Sequence, residues 1–473
     1  MLKRAIHVSN TLMQRYLPDP FLFVILLTMV VFGFGLIFTP STPVQMVQYW
    51  GEGFWNLLSF SMQMVLVLVT GFVLASSPVF KKALGRLAST ARTPGQAVVI
   101  VTVVSLAASW INWGFGLVIG ALFARELAKR VERVDYRLLI ASAYSGFLVW
   151  HGGLAGSIPL TIATPDHFTA DSIGIIPASE TIFAGFNLAI TAALFIAVPL
   201  LNRRMTPAEE ERFVIDRSLL EQPRHQEAAG LEAEVMTPAV RMENSRVLSM
   251  IIGGLGVGFL VYYFVTTGFQ LNLNIVNFAF LFMGILFHGT PRHFLDAVSD
   301  AVKGAGGIII QFPFYAGIMG MMVASGLAAL MSEAFVSIST PFTFPFFAFL
   351  SAGIVNFFVP SGGGQWAVQA PIMLDAAQHL GVSIPKTAMA VAWGDAWTNM
   401  IQPFWALPAL AIAGTGDCRL EGEGHYGLLS YHSFCKRYHN FARVTVPLVK
   451  LSRMLWTVTF RLSVNACRGH GLS

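Results

Sequence analysis

Ten stretches of this 473-residue chain are apolar over a length that can cross a bilayer, and two of them are broken in the middle. About 20 apolar residues in a helix span the hydrocarbon core, and only helices or closed barrels satisfy their backbone groups there. The unbroken stretches are residues 21–38, 54–76, 138–163, 181–201, 247–268, 271–289, 305–325 and 386–413. The broken ones are residues 98–124, interrupted by SWINWGFG, and 344–377, interrupted by VNFFVPSGGGQW. Only 12% of the residues are charged, half of the roughly 25% usual in soluble domains. The pattern reads as an all-α polytopic membrane protein.

The net charge of +5 is spread over loops that flank the spans, so it carries no nucleic-acid signal. Lys3, Arg4 and Arg15 precede the first apolar run without a small-residue cleavage site behind it, which reads as no cleavable signal peptide. The three cysteines, Cys418, Cys435 and Cys467, all fall in the last 56 residues, and no metal-ligand spacing is visible ahead of them.

Lysine and arginine set the expected orientation. Lys3 and Arg4, the group Lys81 to Arg92, the group Arg125 to Arg137, and Arg203 with Arg204 read as cytoplasmic. Residues 39–53 and 164–180 contain neither Lys nor Arg and read as external. The broken stretch 98–124 has basic flanks at both ends, so it is expected to be a hairpin entered from the cytoplasm. The stretch 344–377 has uncharged flanks and is expected to be a hairpin entered from outside. Residues 202–246 hold seven arginines and nine acids and read as a charged cytoplasmic linker.

One offset, 249 residues, aligns three segments of the two halves. GFVLAS at Gly71 faces GMMVAS at Gly320, INWGFG at Ile111 faces PSGGGQ at Pro360, and SIPLTIA at Ser157 faces ALPALAI at Ala406. Residues 1–201 therefore read as a first transmembrane repeat and 271–414 as a second. One additional span, 247–270, lies between them and inverts the second repeat. Inverted repeats with two broken helices are the pattern of secondary transporters, whose substrate site lies between the breaks.

The breaks supply the candidate site. Glycine permits close approach of a ligand to the backbone, and a helix starting near Gln365 aims its first amides at the gap, which favours a carboxylate. The substrate-binding candidates are Asn112, Trp113 and Gly114 at the first break and Asn356, Ser361, Gly362, Gly363, Gly364 and Gln365 at the second. The asparagines cap hairpin ends or bind ligand, and the tryptophans Trp110, Trp113 and Trp366 pack or touch substrate; the sequence alone does not choose. Thr398, Asn399 and Gln402 follow Asp395 on one helical face and are added as cavity-lining candidates. Asp395 and His151 are the ionisable residues placed inside spans, where a charge costs about 2.5–3.5 kcal/mol, and they are the candidates for ion coupling. With no Lys or Arg at that depth, a small monoanion fits better than a dicarboxylate or phosphate.

Four segments carry a resemblance to a known family: SWINWGFGLVIGALFARELA, HGGLAGSIPLTIATP, GTPRHFLDAVSDAVKGAGGIIIQFPFYAGIMGMM and NFFVPSGGGQWAVQAPIM. Through residues 1–414 the chain resembles the bacterial short-chain fatty acid transporters, part of an ion-transporter group with inverted repeats and re-entrant hairpins. The resemblance implies a multi-pass protein of the bacterial inner membrane that imports acetoacetate- or butyrate-like acids by cation symport, with H+ or Na+ and no cofactor. The implied partners are the small carboxylate and membrane lipid; a homo-oligomer is compatible with it, and nucleic acid is not expected.

Residues 415–473 depart from this pattern. They contain eight Lys or Arg, four His, three Cys and no spanning run, where the repeat requires a last span near 430–450. A frameshifted tail that removes the final span is the expectation, and with it a non-functional transporter as one alternative. A channel is a second alternative. A third is an intramembrane hydrolase using Ser361 and His151; neither G-x-S-x-G nor paired catalytic aspartates support it.

Overall fold

The computed structural model describes residues 20–217, 220, 237–356, 359–400, 405, 406 and 412, and every regular element among them is a helix. The first half runs through α1 (Pro20–Phe38), α2 (Pro43–Gly53), α3 (Leu58–Ser76), α4 (Pro78–Ala88), α5 (Pro94–Ile111), α6 (Trp113–Arg130) and α7 (Tyr136–Ser145). A 3-10 segment, Gly146–Gly152, continues α7 and leads to the short α8 (Ser157–Ile162), α9 (Ala170–Ile173) and α10 (Gly185–Arg204). Next come α11 (Pro238–Glu243) and α12 (Arg246–Thr267). The second half is α13 (Leu273–His288), α14 (Pro291–Val302), α15 (Gly306–Ala324), α16 (Leu327–Ile338), α17 (Phe344–Val355), α18 (Gly362–His379) and α19 (Ile384–Asn399). Among the described residues, seven helical segments are long and apolar enough to cross a membrane. The protein is a multi-pass membrane protein.

Several starts follow one local rule. Thr42, Thr93, Thr237 and Thr290 each accept a hydrogen bond from the third amide of the following helix, and each is followed by a proline in the first turn. The threonine satisfies one orphan donor, and the proline lacks the donor that the first turn would leave unpaired. Three of these helices, α2, α11 and α14, are short and were not expected as helices from hydropathy.

Helix bounds recur between the halves. α6 begins at Trp113 and α18 at Gly362, 249 residues apart, and both run for 18 residues. At the same offset α2, α3 and α4 match α14, α15 and α16 within one residue at each end. The two hairpins are α5–α6, broken at Asn112, and α17–α18, broken between Val355 and Gly362.

Burial locates the centre. The segment Tyr136–Ile162 is 94% buried, against 17% for Phe21–Phe38 and 17% for α12. The most enclosed span is therefore the one that is itself broken, at Gly146–Gly156. Its freed amides are satisfied: Leu154 N donates to the Trp110 carbonyl of the first hairpin at 2.7 Å, and Gly156 N donates to Gly153 O at 3.1 Å. Hydropathy read this stretch as continuous because Phe147, Leu148, Val149 and Trp150 are as apolar as any helix.

The linker end is not detached from the membrane domain. Phe213 N donates to Asp135 Oδ2 at 2.8 Å, and Phe213 O accepts from Tyr136 N at 2.9 Å. Asp135 caps α7 through Leu138 N. Arg133 hydrogen-bonds Glu209 and holds its carboxyl below the usual range.

The extra helix α12 rides on α13 through two glycines. A methyl on Gly256 would overlap the Phe282 ring and one on Gly253 the Leu286 side chain, whereas nothing lies within 4 Å of that position on Gly254. Gly256→Ala is expected to lose about 1–3 kcal/mol to overpacking, while Gly254→Ala should gain up to about 1 kcal/mol of helix propensity. Thermal melting in detergent checks the pair. Equal melting points would place the α12–α13 contact elsewhere.

Candidate functional site

The two breaks meet the broken span at a pair of aromatic and ionisable residues. The Trp113 ring, at the first break, lies 5.9 Å from that of Trp150. The tip of Trp150 stands 2.8 Å from where a side chain would begin on Gly362, at the second break. His151 packs on Trp150 with ring centroids 3.6 Å apart, and its Nε2 also faces Gly362. Trp150 and His151 thus lie against both interruptions.

On its other side His151 meets Asp395. Nε2 and Asp395 Oδ2 are 2.8 Å apart, and both side chains are completely buried. The two atoms are close, but no aligned hydrogen bond joins them. Neither His151 Nδ1 nor Asp395 Oδ1 has a hydrogen-bond partner among the described residues. Asn399 Nδ2 donates to Asp395 Oδ2 at 2.9 Å. Asn356 Nδ2 in turn approaches Asn399 Oδ1 at 2.7 Å, Thr398 Oγ1 at 2.8 Å and Asp395 O at 3.2 Å. A hydrogen-bonded line runs from the first arm of the second hairpin, through Asn399, to the His151–Asp395 pair. A charge in so enclosed a site is costly unless compensated.

The remaining residues at the breaks have local duties. Asn112 Oδ1 accepts from Phe115 N at 2.9 Å and Ser361 Oγ accepts from Gly364 N at 3.3 Å, so each caps the second arm of its hairpin. These caps are again 249 residues apart. Gln365 Nε2 ties the two arms of its hairpin through Ala352 O at 2.9 Å and bonds Gln369 Oε1 at 2.8 Å, leaving its buried Oε1 without a partner among the described residues. Gly363 and Gly364 abut aromatic rings: a methyl would lie 2.8 Å from Phe60 Cζ and 2.6 Å from Tyr315. Gly114 is held against Leu68 of α3, 3.1 Å from its carbonyl to the same position.

A cavity of about 550 Å³ lies outside this centre, lined by Tyr49, Glu52, Phe168, Asp171, Pro371 and Asp375 among others. None of the residues singled out from sequence lines it. Phe168 touches Phe60 at 5.4 Å between centroids, and Phe60 covers Gly363, so one aromatic layer separates the cavity from the second break.

A family model described as Short chain fatty acid transporter matches residues 1–423. The chain belongs to this family. A protein of Escherichia coli (strain K12) named as a short-chain fatty acid transporter is 48% identical over 417 residues, covering 88% of this chain and 94% of its own length. One of the same name from Haemophilus influenzae is 46% identical over 424 residues, with the same coverage. The fold is similar to the crystal structure of the Alcanivorax borkumensis YdaH transporter, with a TM-score of 0.53 at 15% identity over 94% of this chain and all of that one.

As a member of a transporter family this protein is not an enzyme, and the hydrolase alternative has no geometric support. The Ser361 hydroxyl is engaged in capping α18, and His151 is turned to Asp395. Asp395, Thr398, Asn399, Asn356 and His151 are brought together; Trp113 joins them through Trp150, while Asn112 and Gly114 face α3. Gln402 and the tail 415–473 lie outside the described residues. Two participants were missed: Trp150, whose signal was adjacency to His151, and Tyr144, whose hydroxyl donates to the Asn399 carbonyl.

Proposed function

We propose that this transporter imports short-chain fatty acids, of the acetoacetate and butyrate class, in symport with H+ or Na+ across the bacterial inner membrane. The observation that carries the reading is the wholly buried His151–Asp395 pair, one residue from each half of the chain, resting on Gly362. The substrate carboxylate docks at the amides of Gly362 and Gly363, which have no intrahelical partner and sit at the positive end of α18, while Ser361 takes the next two. The coupling cation binds at Asp395 and His151, so its occupancy is felt at the substrate position.

The recurrent helix bounds support two repeats, and the basic flanks of α5–α6 against the uncharged flanks of α17–α18 support their inversion. Tyr49, Glu52, Phe168 and Asp171 of the cavity lining come from the two segments without Lys or Arg, which supports its assignment as the outer vestibule. The outward apolar faces of α1 and α12 meet lipid or a second copy.

Purified protein in proteoliposomes is the test, with labelled acetate, butyrate and acetoacetate and an imposed pH or Na+ gradient. Internal label should rise above the external concentration only when one gradient is present. Equilibration without accumulation under both gradients would indicate a channel and overturn the reading.

A further inference from the structure

We infer that Asn187 is the positioning residue that holds His151 against Asp395, a role that rests on the coupling reading above. Asn187 lies on α10, is completely buried, and directs its hydrogen bonds to neither member of the pair. Its Nδ2 donates to Gly152 O at 3.0 Å and to Ile182 O at 2.7 Å. Its Oδ1 accepts from Trp393 Nε1 at 3.0 Å. Gly152 is the residue after His151, and Trp393 stands two residues before Asp395. One amide therefore grips the 3-10 segment that carries the histidine and the helix that carries the aspartate. The donor and acceptor sides are not interchangeable: the carbonyls need the NH₂ group and the indole needs the oxygen.

The segment needs such a grip. A 3-10 stretch of seven residues has weaker internal bonding than an α-helix, and Gly153 follows in an extended conformation. Gly152 is packed so closely that a methyl there would sit 2.6 Å from Trp393 Cζ2 and 3.0 Å from Asn187 Oδ1. The opposite half makes a matching reach. Tyr144, the residue 249 positions before Trp393, donates to the carbonyl of Asn399, the last residue of α19. Each half thus sends one aromatic donor to the other, and on the histidine side Asn187 completes the link.

The test uses the full chain, labelled with ¹⁵N-histidine and reconstituted in lipid. The His151 ring signal is identified by its loss in His151→Gln. His288, bonded to the Val73 carbonyl, and His167, bonded to the Gly174 carbonyl, serve as internal controls. Asn187→Ala should move and broaden the His151 signal and leave the controls in place. Trp393→Phe, a milder change that removes only the indole donor, should move it in the same sense by less. In proteoliposomes Asn187→Ala should lower butyrate accumulation about tenfold, what one buried hydrogen bond is worth in an equilibrium, with counterflow exchange per folded molecule largely kept.

An unmoved His151 signal in both variants overturns the inference. So does a common shift of all three histidines, which would mark Asn187 as a general packing residue. If His151→Gln and Asp395→Asn left accumulation intact, the coupling reading itself would fall, whatever the Asn187 spectra showed.

Discussion

Asp395→Asn is expected to abolish accumulation of butyrate against a gradient while exchange of labelled for unlabelled butyrate continues. Asparagine keeps the shape, and its amide can still meet Asn399 and His151. It cannot carry the charge that a coupling proton or Na+ neutralises. The folding cost of that change is altered hydrogen bonding, about 1 kcal/mol. The reverse substitution is harsher. His151→Leu leaves a wholly buried acid without its polar neighbour, a loss of about 1–3 kcal/mol, and should show first as poor expression. The asymmetry separates coupling from stability. Uptake and counterflow measured in the same proteoliposomes check it; unchanged accumulation in Asp395→Asn would remove the acid from the coupling mechanism.

How much of this centre was legible follows from what each residue does. Asp395 stood out because an acid inside a span is costly, and the P-S-G-G-G-Q break because it ends a helix where none should end. The offset of 249 was visible in three short motifs, and it reappears in helix bounds and in the equivalent caps Asn112 and Ser361. The break at Gly146–Gly156 was not legible, since its residues are apolar and a 3-10 segment has no hydropathy signature. The His151–Asp395 contact was also hidden: it joins residues from different halves, and no local pattern encodes tertiary approach. The short helices α2 and α14 were announced by Thr-Pro pairs, a capping signal that a search for long apolar runs passes over.

Gly362→Ala is expected to lose both accumulation and butyrate binding while still folding. A methyl there would overlap His151 Nε2 and come within 2.8 Å of Trp150 Cη2. The imidazole has little room to retreat, being packed at a tilt against Trp150 on one side and set against Asp395 on the other. Either the ring leaves the carboxylate or the start of α18 moves away from the pair. Alanine is the better helix former by about 1 kcal/mol, and overpacking costs about 1–3 kcal/mol, so net destabilisation is small and the protein should fold. The loss is expected in function: accumulation falls as in Asp395→Asn, and butyrate affinity falls with it because the first amides of α18 are displaced. Gly363→Val separates the two effects. Its side chain meets Phe60 and Phe312 and not the histidine, so it should weaken butyrate binding and leave the His151–Asp395 contact in place. Binding of labelled butyrate to purified protein and accumulation in proteoliposomes, measured on both variants, decide the matter. Normal affinity and normal accumulation in Gly362→Ala would mean that the second break neither holds the substrate nor touches the coupling pair.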